Sequence, residues 1–247
     1  MTDGPISRPI AGTRAKRANR SSWMVGLLLM VIVIGAGAAV VVSLFVFDKH
    51  VDDSHMAAVV EMRKLLADQT KTVQADSAAY QAELAQLGLT EALKPGRLTA
   101  RAGIDSARAK IAQAHAIIAR YRNQEQARRD ATRNTLYHSS MDLDDKRRYL
   151  NEFDNTEVRM GPIIDGVWDL QDAEINEASS TVDMLIGSRG RWQMVRNKVL
   201  FLFPADLNAF AAHQQALAQL HAQEQALNDQ IREGMRHPPA GTDLLQN

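Results

Sequence analysis

The chain contains no cysteine, which excludes disulfides, thiolate metal sites and a lipidated lipobox cysteine and leaves the fold to packing alone. It has no net charge either, since Lys and Arg number 29, as do Asp and Glu. The balance conceals two opposite regions. Residues 1–47 hold five Lys/Arg against Asp3 alone, a net +4, so the remainder carries −4. Outside that tail nothing is basic enough to suggest nucleic acid as a partner. Catalytic signatures are missing as well: there is no Gly-x-Ser-x-Gly elbow, zincin helix, EF-hand loop or Glu-x-x-His pair of the di-iron bundles.

What the chain does have is an uncharged apolar run from Trp23 to Phe47. About 25 residues at 1.5 Å each are enough to cross a hydrocarbon core, which reads as a single transmembrane helix. Arg14, Lys16, Arg17 and Arg20 precede the run, and Asp48, Lys49, Asp52 and Asp53 follow it. That asymmetry keeps the N-terminus cytoplasmic and sends the rest outward. A cleaved signal peptide would also show basic residues, an apolar stretch and a small triplet such as Ala36-Gly37-Ala38. The apolar run continues through Phe47, however, which is the length of an anchor and not of a signal-peptide core. Gly35, Ala39 and Ser43 recur every four positions, a small-residue face that lets a second helix approach and would support a homodimer.

Residues 1–22 read as a disordered basic cytoplasmic tail, 23–47 as a signal anchor, 48–237 as an extracytoplasmic helical bundle and 238–247 as a flexible tail. Within the bundle, Met62, Leu66, Val73, Tyr80 and Leu87 mark a first helical seam. Gly88, Pro95 and Gly96 break it, and Ile104, Ala107, Ile111, Ala114, Ile118 and Tyr121 mark a second. The later seam positions of that helix turn polar, which predicts a less buried end. The run Ser139-Ser140-Met141-Asp142 supplies capping residues for a third helix, Pro162 should kink or interrupt it, and Ile164, Trp168, Gln171, Ile175, Ala178, Val182 and Leu185 continue its seam. The segment 192–203 is dense in strand formers and reads as a small β-hairpin turning at Asn197-Lys198, with an amphipathic helix as the competing reading. Phe210, Leu217, Leu220, Leu227 and Ile231 give a last helix.

The expectation is therefore a mainly α protein: one N-terminal transmembrane helix, then an elongated antiparallel bundle of about four long helices with one hairpin near 192–203. The basic second helix and the acidic third are expected to compensate each other as neighbours. The layout resembles the sensory half of a bacterial four-helix-bundle receptor, in architecture alone and in no motif. Such a chain fits the bacterial inner membrane, with the bulk periplasmic.

No catalytic, cofactor or metal site is expected. His138, Ser139 and Asp142 lie in a connection and read as capping residues. Asp165, Asp169 and Asp172 read as a solvated face, and His221 with Glu224 as an exposed pair one turn apart. The functional expectation is a non-enzymatic scaffold or adaptor that binds another envelope protein. The alternative is a ligand-sensing module that binds a small anion or amphiphile and signals through a separate membrane partner. Arg120, Arg128 and Arg129 with Trp168, Trp192, Phe201 and Phe203 are the candidate interaction or ligand surface for either.

Overall fold

The structure, a computed structural model, describes residues 56–196 and 198–236. The tails, the 23–47 segment and Gly35, Ala39 and Ser43 lie outside the described residues. Among the described residues no helix is long and apolar enough to cross a membrane.

The order of elements is α1 (Met56–Leu87), the one-turn α2 (Leu89–Ala92), α3 (Arg101–Tyr137), α4 (Leu143–Gly187), β1 (Trp192–Val195), β2 (Lys198–Phe201) and α5 (Pro204–Arg236). The described residues are thus mainly α, with four long helices packed against one another and one antiparallel hairpin. Helix α4 has 45 residues, which makes it about 68 Å long at 1.5 Å per residue.

The helices form where the seams predict them. On α1, Met62, Leu66, Val73 and Tyr80 are buried, and on α3 every seam residue from Ile104 to Tyr121 is. Asp142 caps α4, its Oδ1 accepting from the backbone N–H of Asp144 at 3.0 Å and of Asp145 at 2.9 Å. Pro162 does not interrupt α4, which is one helix from Leu143 to Gly187. Proline removes one i to i−4 bond, here the one to the carbonyl of Val158. Val158 is 79% exposed, so solvent reaches that turn.

The polar end of α3 corrects the expectation that it would be less buried. Glu125, Thr132 and Leu136 are all buried. They continue the heptad spacing of the seam, and packing against α1 and α4 overrides the polarity of Glu125 and Thr132.

Two apolar clusters result. The larger runs from Val73 and Met160 to Leu185 and Trp192, and the smaller comprises Met62, Leu66, Leu136, Met141, Tyr149 and Phe153. Helix α5 reaches the first through Ile231, and none of its residues belongs to the second. The smaller cluster is therefore built by α1, α3, α4 and the α3–α4 connection.

The α3–α4 interface is laced by ion pairs whose register proves the helices antiparallel. Arg108 meets Asp183 at 2.8 Å, Arg122 meets Asp169 at 2.6 Å and Arg133 meets Asp154 at 2.8 Å. At the N-terminal end of α1, Glu61 accepts from Ser140 Oγ at 2.6 Å. At the opposite end, Arg189 donates to the Thr99 carbonyl at 2.6 Å, tying the turn after α4 to the α2–α3 connection. There Gly103 is obligatory, since a Cβ on it would lie 1.8 Å from the Arg97 carbonyl oxygen.

In the hairpin, Trp192 pairs with Phe201 and Val195 with Lys198. The turn thus falls one residue earlier than Asn197-Lys198, with Arg196 at φ 48°. Strand alternation sends Met194, Val199 and Phe201 against the larger cluster and leaves Val195 and Leu200 exposed.

Candidate functional site

The interior of the bundle is not uniformly apolar. Gln171, Glu174 and Glu224 are buried at 1%, 5% and 2% exposure, and they meet where α5 packs antiparallel against α4 beside Tyr80 of α1. Their helical spacing brings them together. Gln171 and Glu174 are one turn apart on α4, and His221 and Glu224 one turn apart on α5. Glu224 occupies the seam position between Leu220 and Leu227.

A chain of hydrogen bonds orients part of this cluster. Tyr80 Oη donates to Gln171 Oε1 at 2.7 Å, and Gln171 Nε2 donates to Glu224 Oε1 at 3.1 Å. The other Glu224 oxygen lies 3.7 Å from His221 Nδ1, and Glu174 Oε1 lies 3.8 Å from the same nitrogen. Both distances exceed hydrogen-bond reach. Glu174 Oε1 and His221 Nδ1 are consequently buried without a hydrogen-bond partner. The Glu174, His221 and Glu224 ligand atoms all fall within 4.8 Å of one another. These three residues overturn the reading of His221 and Glu224 as an exposed pair. The packing of α5 along α4, not the local sequence, buries them.

Electrostatics follows from the burial. Desolvation, reinforced by the Glu224 charge, pushes the Glu174 carboxyl up to about 8. Burial also raises Glu224, against the lowering effect of the Gln171 hydrogen bond and of His221. The Tyr80 phenol is driven far up, first by burial and then by the two glutamates.

A second polar layer separates the two apolar clusters. Arg129 reaches Asp165 at 3.2 Å, Glu157 at 3.3 Å and Glu125 at 3.4 Å. Glu125 in turn accepts from Trp168 Nε1 at 2.7 Å. Burial alone would lower the Arg129 guanidinium, but Glu125, Glu157 and Asp165 outweigh it and hold it above its ordinary value. Burial raises Glu157, with Arg129 opposing. A cavity of about 30 Å³ adjoins this layer, lined by Leu66, Val73, Arg128, Phe153 and Ile164 among others. It has room for one or two waters.

The candidate surface residues are dispersed. Arg120 pairs with Glu83, and Arg128 pairs with Asp76 at 2.5 Å. Arg129 and Trp168 belong to the polar layer. Trp168 also packs edge-on against Tyr80 with ring centroids 5.5 Å apart. Trp192 donates from Nε1 to the Leu185 carbonyl at 2.8 Å, and Phe201 packs on Phe210 at 5.4 Å. Phe203 is exposed. Ser139 Oγ donates to the Leu136 carbonyl at the end of α3, while the N-terminus of α4 is capped by Asp142. Asp165, Asp169 and Asp172 face Arg129, Arg122 and His115 respectively.

The sequence reading had no place for Glu174 and Glu125, because it followed apolarity along each seam. No family model, curated protein or solved structure matches this chain.

Proposed function

We propose that this chain is a membrane-anchored scaffold or adaptor of the bacterial cell envelope, without chemistry of its own, which binds another protein with the hairpin end of its bundle. The carrying observation is a run of exposed apolar side chains close together in the chain at that end, whereas the other exposed large apolar residues, Met56, Val60, Tyr137, Leu143 and Val158, are distributed over α1, α3 and α4. Leu202 is 62% exposed, Phe203 and Leu207 52%, and Leu200 and Val195 stand out on the solvent face of the hairpin. Contiguous exposed apolar residues of this kind mark interaction surfaces.

Their position supports the reading. The hairpin lies at the opposite end of the bundle from Met56, the end of α1 nearest the 23–47 run. A bundle anchored there would hold Leu202 and Phe203 tens of ångströms from the bilayer, out of reach of lipid and available to a protein. The ion-pairing of α3 supports it too, because guanidiniums engaged by α1 and α4 carboxylates are poor receptors for a free anion. The cavity of about 30 Å³ is far below the several hundred Å³ of an ordinary small-molecule site. Ligand sensing therefore draws no support from it.

Topology and surface are tested separately. A periplasm-active reporter fused after Asn247 is expected to be active, and a silent fusion contradicts the orientation. Replacing Leu202→Ser and Phe203→Ser together should leave the fold and melting temperature of the full-length chain unchanged while removing its assembly into a larger complex in native membranes. Retention of an identical complex by the double variant contradicts the assigned surface.

A further inference from the structure

We infer that Glu174, His221 and Glu224 form a binding site for a divalent first-row transition ion of the Zn²⁺ type, which clamps α5 onto α4. Two carboxylates and one imidazole are a donor set suited to such ions, and the nitrogen disfavours Mg²⁺ and Ca²⁺. The spacing argues for a shared cation over direct hydrogen bonding. Donor atoms bound at about 2.0–2.2 Å around one tetrahedral ion stand about 3.3–3.6 Å apart. The contacts to His221 Nδ1, at 3.7 and 3.8 Å, are too long for hydrogen bonds and need to close by only a few tenths of an ångström.

The second observation is the orphaned pair. Glu174 is 5% exposed with its Oε1 unpartnered, and His221 Nδ1 is unpartnered opposite it. Native interiors seldom leave such atoms without a partner. A dication between them would satisfy both and cancel the charge of two adjacent buried carboxylates.

The surroundings are those of a supported site. Tyr80 fixes Gln171, and Gln171 fixes the second oxygen of Glu224, so one ligand is already oriented. His221 Nε2 lies 3.0 Å from the Gln225 side-chain amide. Turned by 180°, that amide offers its oxygen to Nε2–H and leaves the Nδ1 lone pair for the ion. The partial exposure of His221, 17% for its side chain, supplies a path of entry. Three protein ligands leave a fourth position for solvent.

The test uses untagged full-length chain, stripped of metal and titrated with Co²⁺ and then Zn²⁺. The expected result is saturable one-to-one uptake, visible Co²⁺ absorption that Zn²⁺ abolishes, and a raised melting temperature with either ion. Glu174→Gln, close to isosteric, and His221→Ala should lose saturable uptake. Gln171→Leu should weaken it by about 10- to 100-fold. His213→Ala, whose imidazole pairs instead with Glu177, should bind as the parent does. Circular dichroism establishes that each variant is folded, and Glu174→Gln decides the matter should His221→Ala fail to fold. Absence of saturable uptake, or uptake unchanged in folded Glu174→Gln, overturns the site.

Discussion

Arg129 shows how much depends on single side chains in this bundle. It sits among Glu125, Glu157 and Asp165, and its removal would strand buried carboxylates rather than merely delete a pair. Breaking a buried ionic group from one side costs about 3–5 kcal/mol. Arg129→Ala is therefore expected to destabilise the chain by about that amount in urea unfolding, whereas Arg133→Ala, on an exposed pair, should change the unfolding midpoint little. Glu174 makes a pH prediction for the metal-free chain. Its carboxyl is pushed up to about 8 in the fold from an ordinary 4.5, so between those values the folded state holds a proton that the unfolded state has released. Stability must then fall as pH rises through that window, with a slope of at most about 1.4 kcal/mol per pH unit from this group. Glu224, raised by the same burial, adds in the same direction, while Tyr80 and Gln171, which face the pair, stay neutral. Thermal melts of the parent and Glu174→Gln in chelator at pH 5 and pH 8 should show the variant gaining relative stability at the higher pH.

The elements were legible to different depths, for physical reasons. The α3 seam from Ile104 to Tyr121 was plain because every position is apolar. The start of α4 was legible in the capping run 139–142 because that chemistry is local, while the strand formers of 192–203 left hairpin and helix as competing readings that only the tertiary packing separates. Glu125 and Glu174 were not legible, since the seams were traced through apolar positions, and Glu224 stood out only as half of an exposed pair with His221. Position carried the missing signal: Leu217, Leu220, Glu224, Leu227 and Ile231 step by three and four throughout. What no local pattern could supply was the antiparallel register of α4 and α5, which turns two separate residue pairs into one cluster. Gly103 belongs to the same class, because its need for a hydrogen in place of a side chain arises from the Arg97 carbonyl. Gly103→Ala, although favourable for helix formation, should destabilise by about 1–3 kcal/mol through displacement of the α2–α3 connection. Thermal denaturation of the variant measures that cost.

At the scale of the whole molecule, the bundle is a rod with two unlike ends. One carries the α3–α4 connection, hydrogen-bonded from Ser140 to Glu61, with exposed Met56, Val60, Tyr137 and Leu143, and the other carries the hairpin with its exposed Leu202 and Phe203. Two apolar clusters and the polar layers between and within them make the rod, while the exposed apolar residues contribute little to it. The complete absence of cysteine gives the proposed partner surface a clean probe, because a single introduced thiol is the only one in the chain. The decisive measurement is cross-linking in native membranes with Leu202→Cys, using Asp105→Cys on the side of α3 as the comparison position. The account predicts one discrete heterologous adduct from Leu202→Cys, lost when Phe203→Ser and Leu207→Ser are added, and none from Asp105→Cys. Equal adducts from both positions, or none from Leu202→Cys in folded, membrane-inserted protein, would contradict a partner at the hairpin end.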